Sequence, residues 1–155
     1  MPIQWSKKFE TGNPDIDREH RHLFDLVNLL DTALEKPEPH ILSMVFLQLA
    51  GYICHHLVSE ESLAARYQVD AALQERLHRE HQTFVAEIGR LQHLMEASPV
   101  KAARDLHACL IDFINNHVLT TDFALAAALP GNRPPDDYEA DEAERRSFAL
   151  RLVGS

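Results

Sequence analysis

The chain has 155 residues, of which 45% are hydrophobic and 25% charged, with a formal net charge of −9. These values predict one globular domain that can bury a proper core. The negative charge disfavours nucleic acid, which requires a basic protein surface, and anionic membranes.

The N-terminal region, residues 1–17, is predicted to be an irregular arm with a turn at Gly12-Asn13-Pro14-Asp15. Asp17 is the predicted cap of a first helix, from about residue 18 to 35. Its apolar residues recur at steps of three and four: Leu23, Phe24, Leu26, Val27, Leu30 and Leu34. The segment Lys36-Pro37-Glu38-Pro39 ends this helix.

Three further helices follow, over about 40–67, 71–95 and 98–128. Ser98-Pro99 suits the cap and first position of the last one. Four helices joined by short connections predict an all-α fold, an antiparallel up-down four-helix bundle.

The sequence changes character at Pro130, where it becomes proline-rich and then strongly charged. We therefore expect a bundle domain over residues 1–129 and a C-terminal extension over 130–155. The extension is interpreted as a tail, a linker or a short docked helix. It could contact a protein partner or lead to a fused domain.

Cys54 and Cys109 lie inside helical patterns without CxxC spacing, so a disulfide framework is not expected. The start, MPIQWSKK, lacks the apolar run of a secretory signal, and no stretch approaches eighteen consecutive apolar residues. These features predict a cytoplasmic protein that does not span a membrane.

Candidate metal ligands occur in four short stretches, one in each helix. The stretches are IDREH with His20, HLVSEE with His56 and Glu60, LHREH with His78 and His81, and NHVLTTD with His117 and Asp122. The spacings in HLVSEE and LHREH allow both side chains to share a helix face. Taken singly, each stretch also fits ordinary packing or a solvated helix face.

The spacing of His117 and Asp122 is unusual, because residues five apart are rotated by roughly 140° in an ideal α-helix. Both can reach one metal pair only if the helix is locally widened, as in a π-bulge, or if the long reach of the side chains compensates. The four stretches together place imidazoles and carboxylates along the apolar stripes, as in metal sites of bundle cores. Nitrogen and carboxylate ligands suit iron, manganese or zinc, and a carboxylate can bridge two metals.

The motifs resemble those of the hemerythrin family, specifically its bacterial single-domain type, from Trp5 to about Leu125. The arm W-x-x-x-F-x-x-G and I-D-x-x-H match Trp5, Phe9, Gly12, Ile16, Asp17 and His20. The family's H-F-x-x-E-E matches residues 56–61 with Leu57 for phenylalanine, and E-H-x-x-F matches residues 80–84. W-L-x-x-H-x-x-x-x-D matches residues 113–122 with Phe113 for tryptophan.

The resemblance implies two non-heme irons that bind O2 reversibly, bridged by carboxylates and an oxo or hydroxo group. It assigns His81 and His117 to one iron and His20 and His56 to the other. Glu60 and Asp122 would be the bridges. Ile114, Phe113, Leu57 and Phe24 are the residues expected to line the O2 pocket, although plain core packing also explains Phe24.

One departure concerns Leu77, which stands where the family has a histidine four residues before His81. We expect His78 to take this role through a shifted helix register. The alternative is an iron that lacks one protein ligand.

The leading interpretation is an O2 carrier, store or sensor rather than an enzyme. The alternatives are turnover of peroxide or nitric oxide, a sensory module acting through residues 130–155, and a bundle without iron.

Overall fold

The computed structural model describes residues 2–130, which form helices and no strand. The helices are α1 (Pro14–Glu35), α2 (Pro39–Arg66), α3 (Ala71–Ala97) and α4 (Pro99–Phe113). α4 continues into a π-helical segment (Ile114–Asp122) and then into α5 (Phe123–Ala128). The predicted all-α four-helix bundle is confirmed. The predicted extension lies, apart from Pro130, outside the described residues.

The first helix begins earlier than predicted, and its cap is Asn13 rather than Asp17. The Asn13 side chain accepts hydrogen bonds from two backbone N–H groups of the first turn, and Pro14 occupies the first helical position. Gly12 makes the preceding turn possible with a φ of +92°. The Asp17 carboxylate instead accepts hydrogen bonds from the backbone N–H and the hydroxyl of Thr11, at 2.8 and 2.7 Å. Asp17 therefore fastens the arm to α1.

The arm also packs its aromatic rings on α1. The ring of Phe24 lies 4.7 Å from that of Phe9 and 5.2 Å from that of Trp5, both edge-on. Ile3 and the Asn28 side chain exchange two hydrogen bonds of 2.8 Å. These contacts cover one side of the bundle core.

The buried apolar residues form two clusters. The larger cluster includes Leu23, Leu57, Phe84 and Val118, and the smaller one consists of Ile16, Leu63, Ala64, Val69, Leu77, Leu125, Ala126 and Leu129. Along each helix, a buried polar layer lies between the two clusters. Its members are His20, His56, Glu60, His81, His117 and Asp122.

The composition of α2 follows from its place in the core. This helix is long and apolar enough to cross a membrane by composition, but 56% of its most apolar window is buried inside the bundle. It also carries the buried His56 and Glu60. Burial in the bundle accounts for its apolar character.

Candidate metal centre

The polar layer brings together six of the seven predicted ligands, and all four helical parts of the bundle contribute to it. His20 comes from α1, His56 and Glu60 from α2, His81 from α3, and His117 and Asp122 from the π-helical segment. They form two groups of four, and within each group the ligand atoms all lie within 4.8 Å of one another. One group contains His20 and His56, the other His81 and His117, and both contain Glu60 and Asp122.

Glu60 lies between the two histidine pairs and turns one carboxylate oxygen toward each. Its Oε1 lies 3.1 Å from Nε2 of His20 and 3.1 Å from Nε2 of His56. Its Oε2 lies 3.2 Å from Nε2 of His81 and 4.0 Å from Nε2 of His117. A carboxylate in this position can give one oxygen to each of two metals.

Asp122 is placed in the same way from the opposite helix. Its Oδ2 lies 3.1 Å from Nε2 of His20, and its Oδ1 lies 2.8 Å from Nε2 of His117. Both carboxylates are fully buried. The layer is therefore divided into two subsites that share two carboxylates.

The π-helical segment is what allows Asp122 to point into the layer. In such a segment the backbone hydrogen bonds run from residue i to i+5, so residues five apart lie nearly one above the other. His117 and Asp122 both lie within it, and both are buried. Of the two alternatives that the spacing left open, the structure shows the widened helix.

The donor atoms of the layer fit a bound cation. Within the described residues no hydrogen bond satisfies His56 Nε2, Glu60 Oε2 or either carboxylate oxygen of Asp122. Nε2 of His81 and Nε2 of His117 face each other at 3.1 Å. Buried polar atoms without hydrogen bonds are costly, whereas coordination to a metal would satisfy all of them.

Charge balance in the layer supports the same conclusion. Burial lowers the pKa of His117, but Asp122 and Glu60 outweigh it and raise that pKa to about 10. Burial raises the pKa of Glu60, yet His56, followed by His117 and His20, holds it well below its usual range. In the metal-free protein, protons on the imidazoles therefore neutralise the carboxylates, and a metal ion must displace them.

His78 does not join the layer. Its side chain is 60% exposed, and its Nδ1 lies 2.5 Å from Oε1 of Glu61. Leu77 points inward instead and is fully buried in the smaller apolar cluster. The geometry thus contradicts the predicted replacement of the family's histidine by His78. Among the described residues, the second subsite, that of His81 and His117, contains two histidines, as does the first, that of His20 and His56.

Glu61 contacts the layer from outside, on the side of His81. Its Oε2 lies 3.2 Å from Nδ1 of His81, while its Oε1 contacts His78. Burial raises the pKa of Glu61, but the hydrogen bonds from His81 and His78 lower it by a larger amount. The pKa of Glu61 therefore lies below its usual value. Glu61 therefore connects an exposed histidine to a buried one of the layer.

Two other carboxylates contact the layer from outside and were missed from the sequence. Oε1 of Glu80 lies 2.9 Å from Nδ1 of His117 and accepts a 2.6 Å hydrogen bond from the Thr121 hydroxyl. Oε2 of Glu19 lies 3.8 Å from Nδ1 of His56. The available signal was adjacency, because Glu19 precedes His20, Glu61 follows Glu60 and Glu80 precedes His81.

The four residues predicted to line a ligand pocket are all buried in the larger apolar cluster, beside the layer. They are Phe24, Leu57, Phe113 and Ile114. The Phe113 ring stacks on that of His117 with centroids 4.4 Å apart. Phe24 lies under the aromatic rings of the arm, which favours the packing interpretation for that residue.

Comparison with known proteins agrees with this arrangement. Residues 11–129 match the family model of the hemerythrin HHE cation binding domain. The chain belongs to this family. The matched region of this hemerythrin-family protein contains all six residues of the polar layer and ends with the described bundle.

Curated relatives carry the same family name. The chain is 26% identical over 123 residues to the bacteriohemerythrin of Pseudomonas paraeruginosa strain DSM 24068 / PA7. It is 25% identical to the bacteriohemerythrin of Pseudomonas aeruginosa strain LESB58. Each alignment covers 77% of this chain and 76% of the relative.

Proposed function

We propose that this protein holds two iron ions in the polar layer and uses them to bind O2 reversibly. The observation that carries the proposal is the position of Glu60 and Asp122, each with one oxygen toward each histidine pair. The relatives named bacteriohemerythrin support iron as the metal. Manganese and zinc use the same kinds of donor, so the metal itself has to be measured.

The residues divide into two subsites with shared bridges. His20 and His56 would hold one iron through Nε2, and His81 and His117 the other. Glu60 and Asp122 would contribute to both. Ferrous iron in these subsites would supply the electrons and the open coordination position that O2 binding requires.

The apolar residues above the layer would exclude water from the bound ligand. Leu57 is fully buried directly after His56, and Ile114 is buried one turn before His117. Phe113 covers the face of the His117 ring. A dry surrounding limits proton access and so slows irreversible oxidation.

Metal analysis and gas binding test the proposal. We expect about two irons per chain after loading under anaerobic conditions, and an absorption change on exposure to O2 that reverses on degassing. Immediate irreversible oxidation would favour turnover of peroxide or nitric oxide, or a redox sensor, over a carrier or store. A chain that binds no iron would overturn the proposal.

The setting proposed for this function is the cytoplasm, with O2 as the ligand. Both cysteines are free thiols, and burial raises the pKa of Cys109 to about 11, which keeps that thiol unreactive. Fractionation of the native host, with the protein detected by antibody, tests this location. Recovery in a secreted or membrane fraction would contradict it.

A further inference from the structure

The outer ring nitrogens of the layer distinguish the two subsites. In the second subsite, Nδ1 of His81 lies 3.2 Å from Glu61, and Nδ1 of His117 lies 2.9 Å from Glu80. In the first subsite, Nδ1 of His20 has no hydrogen-bond partner among residues 2–130. Glu61 and Glu80, here called the outer carboxylates, thus act mainly on the subsite of His81 and His117.

These contacts determine which nitrogen carries the proton. An ionised carboxylate can only accept a hydrogen bond, so Nδ1 of His81 and Nδ1 of His117 must be the donors. Once a metal has displaced the remaining ring protons, both Nε2 lone pairs would be directed inward, where the two atoms lie 3.1 Å apart. Two neutral rings with this tautomer would repel each other at that distance unless a cation accepted both lone pairs.

Each outer carboxylate is itself held in place from the surface. Glu61 is held by His78, whose Nδ1 lies 2.5 Å from its other oxygen. Glu80 accepts hydrogen bonds from Thr121 and, at 3.0 Å, from Nε of Arg76. A carboxylate fixed at both ends holds the orientation of the imidazole that it contacts.

We propose that Glu61 and Glu80 are positioning residues for the metal held by His81 and His117, and that His78 acts only through Glu61. The inference rests on the proposed metal function and deepens it. The two carboxylates fix the tautomer and the ring orientation of the two histidines that residues 2–130 place in that subsite. They also make each Nε2 a stronger donor to the metal.

The test measures stepwise Fe²⁺ dissociation constants by anaerobic competition with a chelator. Loss of an outer carboxylate typically reduces metal affinity about 10- to 100-fold. We expect this loss for one of the two constants in Glu61→Ala and Glu80→Ala, with the other constant unchanged. Glu61→Gln and Glu80→Gln keep an acceptor without its charge and should lose less.

Two controls separate positioning from general surface effects. Glu87→Gln removes a carboxylate of α3 that pairs with Arg90 at the surface, and it should change neither constant. His78→Ala should still bind two metals, with a smaller loss than Glu61→Ala. If His78→Ala instead removes one metal as completely as His81→Ala does, His78 is a ligand and the proposal is wrong.

A second measurement reports the proton position directly. In the Zn²⁺-loaded protein with ¹⁵N-labelled histidine, His81 and His117 should both appear as Nδ1–H tautomers. Proton on Nε2 of either ring would overturn the proposal, as would unchanged Fe²⁺ constants in both alanine variants. A wild-type chain without Fe²⁺ binding would overturn the proposed function first, so the two failures are distinguishable.

Discussion

The two halves of the polar layer have the same inner ligands but different surroundings. His20 and His56 are enclosed by α1 and α2. His81 and His117 are backed by Glu61 and Glu80, whose side chains are 24% and 30% exposed. The carboxylate near His56, that of Glu19, is only 11% exposed, so the first half lies deeper, whereas hydrogen bonds nearer solvent hold the other half. Because such bonds open more easily than a packed core, the second half is the one that should release its metal first.

Removing a shared carboxylate should affect both halves of the layer at once. Glu60→Ala or Asp122→Ala should lose both metals, because each residue turns one oxygen to each subsite. Iron analysis after anaerobic loading measures this. His40→Ala, on an exposed position at the start of α2, is the matched control and should retain both. A full metal complement in Glu60→Ala would contradict the bridging assignment.

Removing one histidine should reduce metal binding in its own subsite and leave the other subsite able to bind. His117→Ala should keep about one iron per chain, in the subsite of His20 and His56. His20→Ala should retain less than one, because the remaining subsite depends on partly exposed hydrogen bonds. Equal retention in the two variants would show that the difference in surroundings has no effect on metal binding.

Adding a nitrogen ligand to the second half should slow the release of its metal. Leu77→His places a ring four residues before His81, at a fully buried apolar position. We expect the metal-free variant to lose roughly 2–4 kcal/mol of unfolding free energy through lost packing and a buried polar group. Metal release into a chelator should become slower.

Leu77→Ala is the control, since it loses similar packing without gaining a nitrogen ligand. Its metal should leave no more slowly than that of the wild type. If both variants release metal equally fast, the ring at position 77 does not reach the subsite.

The smallest expected effect is a release of protons on metal binding. The folded pKa of His117 is raised to about 10, so its ring is protonated at neutral pH in the metal-free protein. Metal must displace that proton, and apparent affinity should therefore rise with pH up to about 10. Titration with Zn²⁺ in weakly buffered solution at pH 7 should acidify the sample. No acidification would contradict the raised pKa.

The helices and the inward direction of six ligands could be predicted because each depends on periodicity within one helix. The five-residue step between His117 and Asp122 indicated a widened helix as one of two alternatives. The roles of Glu61 and Glu80 could not be predicted, since each contacts a histidine on the next helix. Such contacts depend on how neighbouring helices are rotated and shifted, which one helix's sequence does not specify.

The failure at His78 has a local cause. At about 100° per residue, the position four before His81 lies roughly 40° from it around the helix, and the position three before lies roughly 60° away on the other side. Leu77 is thus closer to the buried face, and its apolar side chain stabilises that orientation. Turning His78 inward would expose Leu77, and the connector before α3 does not supply that rotation.

The division of the core by the polar layer has a consequence for folding. The larger apolar cluster has many more buried residues than the smaller one, around Ile16, Leu63 and Leu125, and the charged layer separates the two. A bound metal would connect the two clusters into one cooperative unit. Without it, the end that contains α5 would open as a separate unit, with faster amide hydrogen exchange than the rest of the bundle.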